Sequence, residues 1–267
     1  MSFPQLLRHF VDFSAKYEVQ LSGQSEHIIL KRDHSLRVHA LASRIARTEN
    51  VSDIFPYRLA ALVHDIGRFP QFVQYGTYRD DDSVDHGELG AILLEQGSFL
   101  APVSEDVRPM IISVVRLHNK KIVPRGLDRL THSVLTVVRD ADKLDIVPVV
   151  LHTLESGRLE KGVVTMGLAH VPERWTPEIL DQVAQGTAAS YADLRFINDF
   201  LVLLASWGQQ LTHKASRNIF FRRGYLNRIF ALLPHHADFI QLKMILETRL
   251  QDNWCQTNAS STLIMRP

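Results

Sequence analysis

The chain has 267 residues, 45% of them hydrophobic, enough to bury a substantial core as one domain or as a domain with an appendage. Its 30 lysines and arginines balance 29 acidic residues, so no global charge draws it to nucleic acid or to a membrane surface. A lone cysteine, Cys255, excludes an intramolecular disulfide framework and every cysteine-rich zinc scaffold.

Helical periodicity dominates from the first residues. Ser2 and Pro4 read as a cap and first turn, leading into Phe3, Leu6, Leu7, Phe10 and Val11 at helical spacing. A second helix carries Ile29 or Leu30, His34, Val38, Leu41 and Ile45 on one face. A third starts near Pro56 and runs through Leu59, Leu62 and Val63 to His64-Asp65, with Gly67 placed to end it. Residues 75–85 are polar and turn-like, an ordinary solvated connection or a loop over a pocket. Asp85 with Glu88 resembles a capping-box start for a helix ending near Gly97. Ser104 is placed to cap the next, which carries Ile111, Val114, Val115 and His118. A longer helix spans residues 131–155, with a kink expected at Pro148. Glycines and Pro172 mark a break over 157–176, and residues 177–254 are helical again.

No alternating strand pattern outweighs these signals, so the expected fold class is all-α. The expected division is a helical core over 1–155, a helical extension packed on it over 156–255, and a flexible tail over 256–267. The amino terminus lacks a basic stretch followed by an apolar run, and no apolar run of about 18 residues occurs, so a soluble, cytoplasmic protein is expected.

The chemistry-bearing residues lie on these apolar stripes. His118 shares a face with Ile111, Val114 and Val115, and Asp142 shares one with Leu135, Val138 and Val149. A carboxylate buried on such a stripe is costly unless it pairs with a cation or binds a metal. His64-Asp65 offers one nitrogen and one oxygen to a single region, and a carboxylate can bridge two cations. Taken singly, each histidine is more often a satisfied core residue, and Asp142 has Arg139 and Lys143 as ready ion-pair partners. Taken together, four histidines and two aspartates make a nitrogen and oxygen donor set. Such a set suits manganese, iron, cobalt, nickel or zinc rather than calcium. Two such ions close together could clamp the oxygens of a phosphate ester.

On these residues the chain resembles the HD-domain superfamily of metal-dependent phosphohydrolases, an all-α fold, in its six-ligand variant. The matching residues are His34 in Lys31-Arg-Asp-His-Ser-Leu-Arg-Val38, His64-Asp65 in Leu62-Val-His-Asp-Ile-Gly-Arg68, and Asp142 in Asp140-Ala-Asp-Lys-Leu144. The resemblance covers about residues 25–150. It implies that His34, His64, Asp65 and Asp142 hold one divalent transition-metal ion. By the same resemblance His86 and His118 add a second, with Asp65 as the bridging carboxylate. Comparison with members having an Asp-Lys step selects Asp142 over Asp140. Asp65, Lys143 and Arg68 are then the expected catalytic residues, the two cations offsetting charge on phosphoryl oxygens. Lys120 and Lys121, after His118, read as solvated surface charges.

The resemblance implies hydrolysis of a nucleotide or related small phosphate ester by metal-activated water. An HD-fold mixed-valent diiron oxygenase and a catalytically silent metal-binding sensor are the alternatives. The cyclic-dinucleotide phosphodiesterase branch is disfavoured, because Asn119 follows His118 and no Gly-Tyr-Pro tripeptide is present. Basic and aromatic residues interleave over 213–228, but a helix with aromatics inward explains them better than a nucleic-acid groove. Asp80-Asp-Asp82 reads as a solvated acidic loop.

Overall fold

The computed structural model describes residues 2–21, 23–157, 164–165, 167–187 and 189–262, with side chains as far as 251. The fold is all-α: among the described residues no strand forms, and Ala169 and Phe196 make an isolated parallel bridge. The chain divides into two compact units, residues 1–146 and 147–267.

The first unit is built from α1 (Phe3–Glu18), α2 (Ser25–Thr48), α3 (Phe55–Val63), α4 (Arg68–Tyr75), α5 (His86–Gln96), α6 (Arg108–Leu117) and most of α7 (Arg129–Glu155). The Gln5 side chain accepts from the Ser2 amide at 2.7 Å, so α1 begins where its cap and Pro4 place it. In α2 the buried stripe runs Ile28, His34, Val38, Ala42, Ile45, so the stripe starts at Ile28 rather than Ile29 or Leu30. That helix ends with Asn50 in the left-handed region, φ 56°, while Val51 N–H reaches Ala46 O at 3.0 Å and Asn50 N–H reaches Arg47 O at 3.1 Å. Asp85 caps α5, its side chain accepting from the amides of Gly87 and Glu88. Glu88 does not complete a capping box but accepts from Arg116 on α6.

Gly67 does not terminate a helix in the left-handed conformation. Its φ is −68°, and a further helix, α4, starts at the next residue, burying Phe69 and Phe72. The glycine is needed for space: a Cβ there would lie 2.6 Å from the Gly90 amide nitrogen and would run into the His86 carbonyl. A Cβ on Gly90 would in turn meet Val115 at 3.0 Å and Gly67 N at 3.1 Å. This close approach seats α5 against the turn that carries His64 and Asp65.

Asp128 opens α7, accepting from the Leu130 and Thr131 amides at 3.0 and 2.9 Å. The helix continues through Pro148, and the division between units falls just before it, between Ile146 and Val147, rather than at 155. The second unit contains the end of α7, then α8 (Pro177–Ala184), α9 (Ile197–Gln210), α10 (Lys214–Arg222), α11 (Tyr225–Leu232) and α12 (Ala237–Thr262). Every residue of α9 from Ile197 to Gly208 is buried, so this helix is the centre of its unit. In the basic segment Phe220 and Tyr225 turn inward as expected, while Phe221 is exposed. Arg217 bonds Leu211 O and Thr212 O, and Arg228 pairs with Glu155. Part of the glycine-bearing break, residues 158–163 and 166, lies outside the described residues, as does 263–267. The expected tail start at Gln256 falls inside α12, which continues to Thr262. Among the described residues no helix is long and apolar enough to cross a membrane.

Candidate metal centre

Four histidines and two aspartates converge in the first unit. His34 comes from the middle of α2, His64 and Asp65 from the turn after α3, His86 from the first position of α5, His118 from the end of α6, and Asp142 from α7. All four imidazoles and Asp65 are buried.

Each histidine is held through Nδ1. His34 Nδ1 lies 2.8 Å from Asp145 Oδ2, His64 Nδ1 2.8 Å from Ala61 O, His86 Nδ1 2.7 Å from Asp80 Oδ2, and His118 Nδ1 2.7 Å from Val115 O. Carbonyl and carboxylate oxygens only accept, so in each neutral ring Nδ1 carries the proton and Nε2 presents a lone pair. All four Nε2 atoms then face one region, ordered by the two oxygens of Asp65. Oδ2 lies 3.6 Å from His34 Nε2 and 3.8 Å from His64 Nε2. Oδ1 lies 3.3 Å from His86 Nε2 and 3.5 Å from His118 Nε2. Asp142 Oδ1 completes the first group, 3.0 Å from His34 Nε2 and 3.7 Å from His64 Nε2. By these distances the donors fall into two candidate half-sites about Asp65: His34, His64 and Asp142 nearest one oxygen, His86 and His118 nearest the other.

Without a cation this arrangement is poorly satisfied. His34 Nε2 and His64 Nε2 are buried and make no hydrogen bond. His86 Nε2 and His118 Nε2 stand 3.0 Å apart, and when both rings are neutral with Nδ1 protonated they meet lone pair to lone pair. Burial, helped by the Arg68 guanidinium, pushes the His86 pKa down to about 3, so its ring does not relieve the contact by protonating near neutrality. At His34 burial opposes the charged form, but Asp142 and Asp145 outweigh it and raise the pKa above its ordinary value. Burial likewise opposes the Asp65 and Asp142 charges. Lys31 and the neighbouring imidazoles nonetheless hold Asp65 well below the usual carboxylate range, as His34 and His64 do for Asp142. Ionised carboxylates and convergent nitrogen lone pairs are the donor chemistry of a divalent transition metal, and the residues fit one. Two overlapping groups, His34 with His64 and Asp142, and His64 with Asp65 and His118, each bring their ligand atoms within 4.8 Å of one another.

Residues 32–146 match the family model described as HD domain. This stretch of the chain is an HD domain. Comparison with curated proteins and with solved structures finds no match. All six expected ligands lie inside the HD domain, and so do Arg68 and Lys143.

The structure gives the cations near the HD-domain site different placements. The Arg68 guanidinium bonds Tyr78 O, Gln71 Oε1 at 2.9 Å and Asp80 Oδ1 at 3.0 Å, while its buried Nε lies 3.6 Å from Asp65 Oδ1 without a hydrogen bond. Burial and the nearby Arg139 lower the Lys143 pKa, and the charge of Asp142 opposes them. Arg139 itself serves α6, donating to the carbonyls of Leu117, His118 and Lys120. Lys120 pairs with Asp85, and Lys121 is exposed.

Sequence reasoning missed the groups around the ligands. Lys31, one turn before His34, puts its ammonium 2.9 Å from Asp65 Oδ2. Asp145 backs His34 and is gripped by Arg37 at 2.8 and 2.9 Å. Its spacing of three from Asp142 on α7 was the available signal. The acidic run 80–82 divides: Asp81 and Asp82 are exposed, whereas Asp80 turns inward to His86 and Arg68 and is not part of a solvated loop.

Proposed function

We propose that the HD domain is a metal-dependent phosphohydrolase acting on a nucleotide or a related small phosphate ester. The observation that carries this reading is Asp65 between two groups of imidazole nitrogens, one on each carboxylate oxygen. His34, His64, Asp142 and Asp65 Oδ2 would hold one ion, and His86, His118 and Asp65 Oδ1 a second. Bound there, divalent cations supply a water of lowered pKa and a clamp on phosphoryl oxygens.

The chain's own groups account for the rest. Asp145, Ala61 O, Asp80 and Val115 O keep the proton on each Nδ1, so the ligand nitrogens stay free. The partly exposed side chains mark the side on which a substrate meets the site. Asp142 is 24% exposed, Lys31 18% and Arg68 15%, against 0–7% for the four imidazoles. Lys31 Nζ and the unbonded Arg68 Nε are placed to hold anionic oxygens, and Lys143 beside Asp142 adds positive charge. In the reaction water adds to phosphorus and the ester P–O bond breaks, releasing phosphate and the alcohol.

The same donor set, four imidazoles and two carboxylates, also suits a diiron centre reacting with dioxygen. One experiment separates the readings. The protein is loaded in turn with manganese, iron, cobalt or nickel and assayed for phosphate release from nucleotides and simple esters, alongside Asp65→Ala. Turnover that Asp65→Ala abolishes supports the phosphohydrolase. Oxygen consumption by the iron form, with no phosphate released from any ester, would replace it with the oxygenase.

A further inference from the structure

The two half-sites are supported differently. In the first, Asp145 backs His34 from α7, and Arg37 on α2 grips Asp145, so ligand and support both stand on long helices. In the second, His118 rests on the carbonyl of its own helix, and His86 depends on Asp80. Asp80 stands in the connection between α4 and α5, residues 76–85.

Asp80 receives more than His86. Its oxygens accept from Arg68 Nη1 at 3.0 Å, Gln71 Nε2 at 2.9 Å and Asn119 Nδ2 at 3.3 Å, besides His86 Nδ1 at 2.7 and 2.9 Å. The same donors fasten the rest of the connection. Arg68 also bonds Tyr78 O, and Gln71 also bonds Ser83 Oγ and Val84 O, each at 2.9 Å. Tyr78 extends the tie by donating its hydroxyl to His27 O at 2.8 Å. One carboxylate therefore joins the connection to α4, to α5 through His86, and to the end of α6 through Asn119.

Asp80, Asp85 and His86 also lie close enough to hold an ion themselves. Their partners argue against it. Asp80 already faces Arg68, Asp85 already faces Lys120, and His86 Nδ1 would have to give up the proton it donates to Asp80.

We infer that Asp80 is the positioning residue of the second half-site, and that ion binding there and the fastening of residues 76–85 are a single linked event. The inference rests on the two-ion reading above. An ion at His86 Nε2 favours the tautomer in which Nδ1 donates to Asp80, so it strengthens the Asp80 junction; an intact junction strengthens ion binding by the same factor. No ligand of the first half-site bonds Asp80, His34 and His64 being backed by Asp145 and Ala61 O, so loss of the junction should act on the second ion first.

The test is manganese titration of the full-length metal-free protein by calorimetry and metal analysis, with hydrogen exchange followed over residues 77–84. Asp80→Asn keeps the side-chain shape and an acceptor for Arg68 but removes the charge. Asp80→Glu is the conservative rescue, and Asp81→Asn is the exposed control. The wild-type chain should bind two ions in separable steps, with exchange over 77–84 slowing at the second step only. Asp80→Asn should leave the first affinity unchanged and weaken the second by about 10–100-fold, with the exchange effect lost. Asp80→Glu should restore part of it. Two ions bound by Asp80→Asn at wild-type affinities would overturn the inference and leave the two-ion reading standing. A wild-type chain that binds one ion would overturn both.

Discussion

Asp65 in the first unit and Asp199 in the second are both buried almost completely, and the two are treated in opposite ways. Asp199, in α9, is fully buried and met by donors. The amide and hydroxyl of Thr176 lie at 2.6 and 2.8 Å, and the amides of Arg195 and Phe196 at 2.9 and 3.0 Å. Asp65 is 3% exposed, and apart from Lys31 and Arg68 its oxygens face the Nε2 atoms of four imidazoles whose Nδ1 atoms are engaged elsewhere. A buried carboxylate saturated by N–H and O–H groups is part of the fold's own hydrogen bonding. One ringed by imidazole Nε2 atoms lacks such donors until those rings protonate or a metal ion arrives. The contrast separates a structural acid from a candidate ligand without reference to any relative.

The largest effect that could break this comparison concerns Asp65→Ala. Metal stoichiometry and metal-dependent turnover should be lost, while the metal-free protein stays folded with a lowered thermal midpoint, because Lys31 and Arg68 lose the carboxylate they face. A variant that unfolds at ordinary temperature would make Asp65 structural. Asp199→Ala should do the reverse. Stranding several buried donors should cost about 3 kcal/mol or more in denaturant unfolding, with the manganese affinity of the folded protein unchanged. A metal effect at Asp199 would erase the distinction.

Metal removal gives a smaller effect. Saturating metal at about 100 times its dissociation constant should stabilise the wild-type chain by about 2.7 kcal/mol, and Asp65→Ala should show no such gain. Differential scanning calorimetry with and without a chelator reads both. The smallest effect belongs to an exposed carboxylate, the Asp128 cap. Its hydrogen bond from Thr131, with the backbone amides of Thr131 and Leu130, holds its pKa below the ordinary value. A depressed folded pKa gives stability that is complete above the unfolded value, about 4, and lost as pH falls through the folded one. Asp128→Asn keeps the cap and should flatten that part of the acid unfolding profile.

Much of the HD domain was legible in the sequence because its signals are local. Helical spacing put His34 and His118 on apolar stripes, and the His64-Asp65 step announced a paired donor. Where the reading failed, the cause was a contact between distant segments. Gly67 looked like a helix stop, but its role is to let α5 approach, which depends on Gly90, 23 positions on. Asp80 looked solvated because its neighbours Asp81 and Asp82 are; nothing near it in the chain says that Arg68, Gln71 and Asn119 will meet there.

The sequence by itself determined the all-α class and the course of most helices, since periodicity is written within one or two turns, and it singled out six candidate donor residues. Tertiary structure alone decided which donors share an oxygen of Asp65, that Lys31 pairs with that carboxylate, and that Asp145 and Asp80 orient the histidines. Those relations are distances between helices. The bond from His34 to Asp145 spans 111 positions, and no local spacing encodes it.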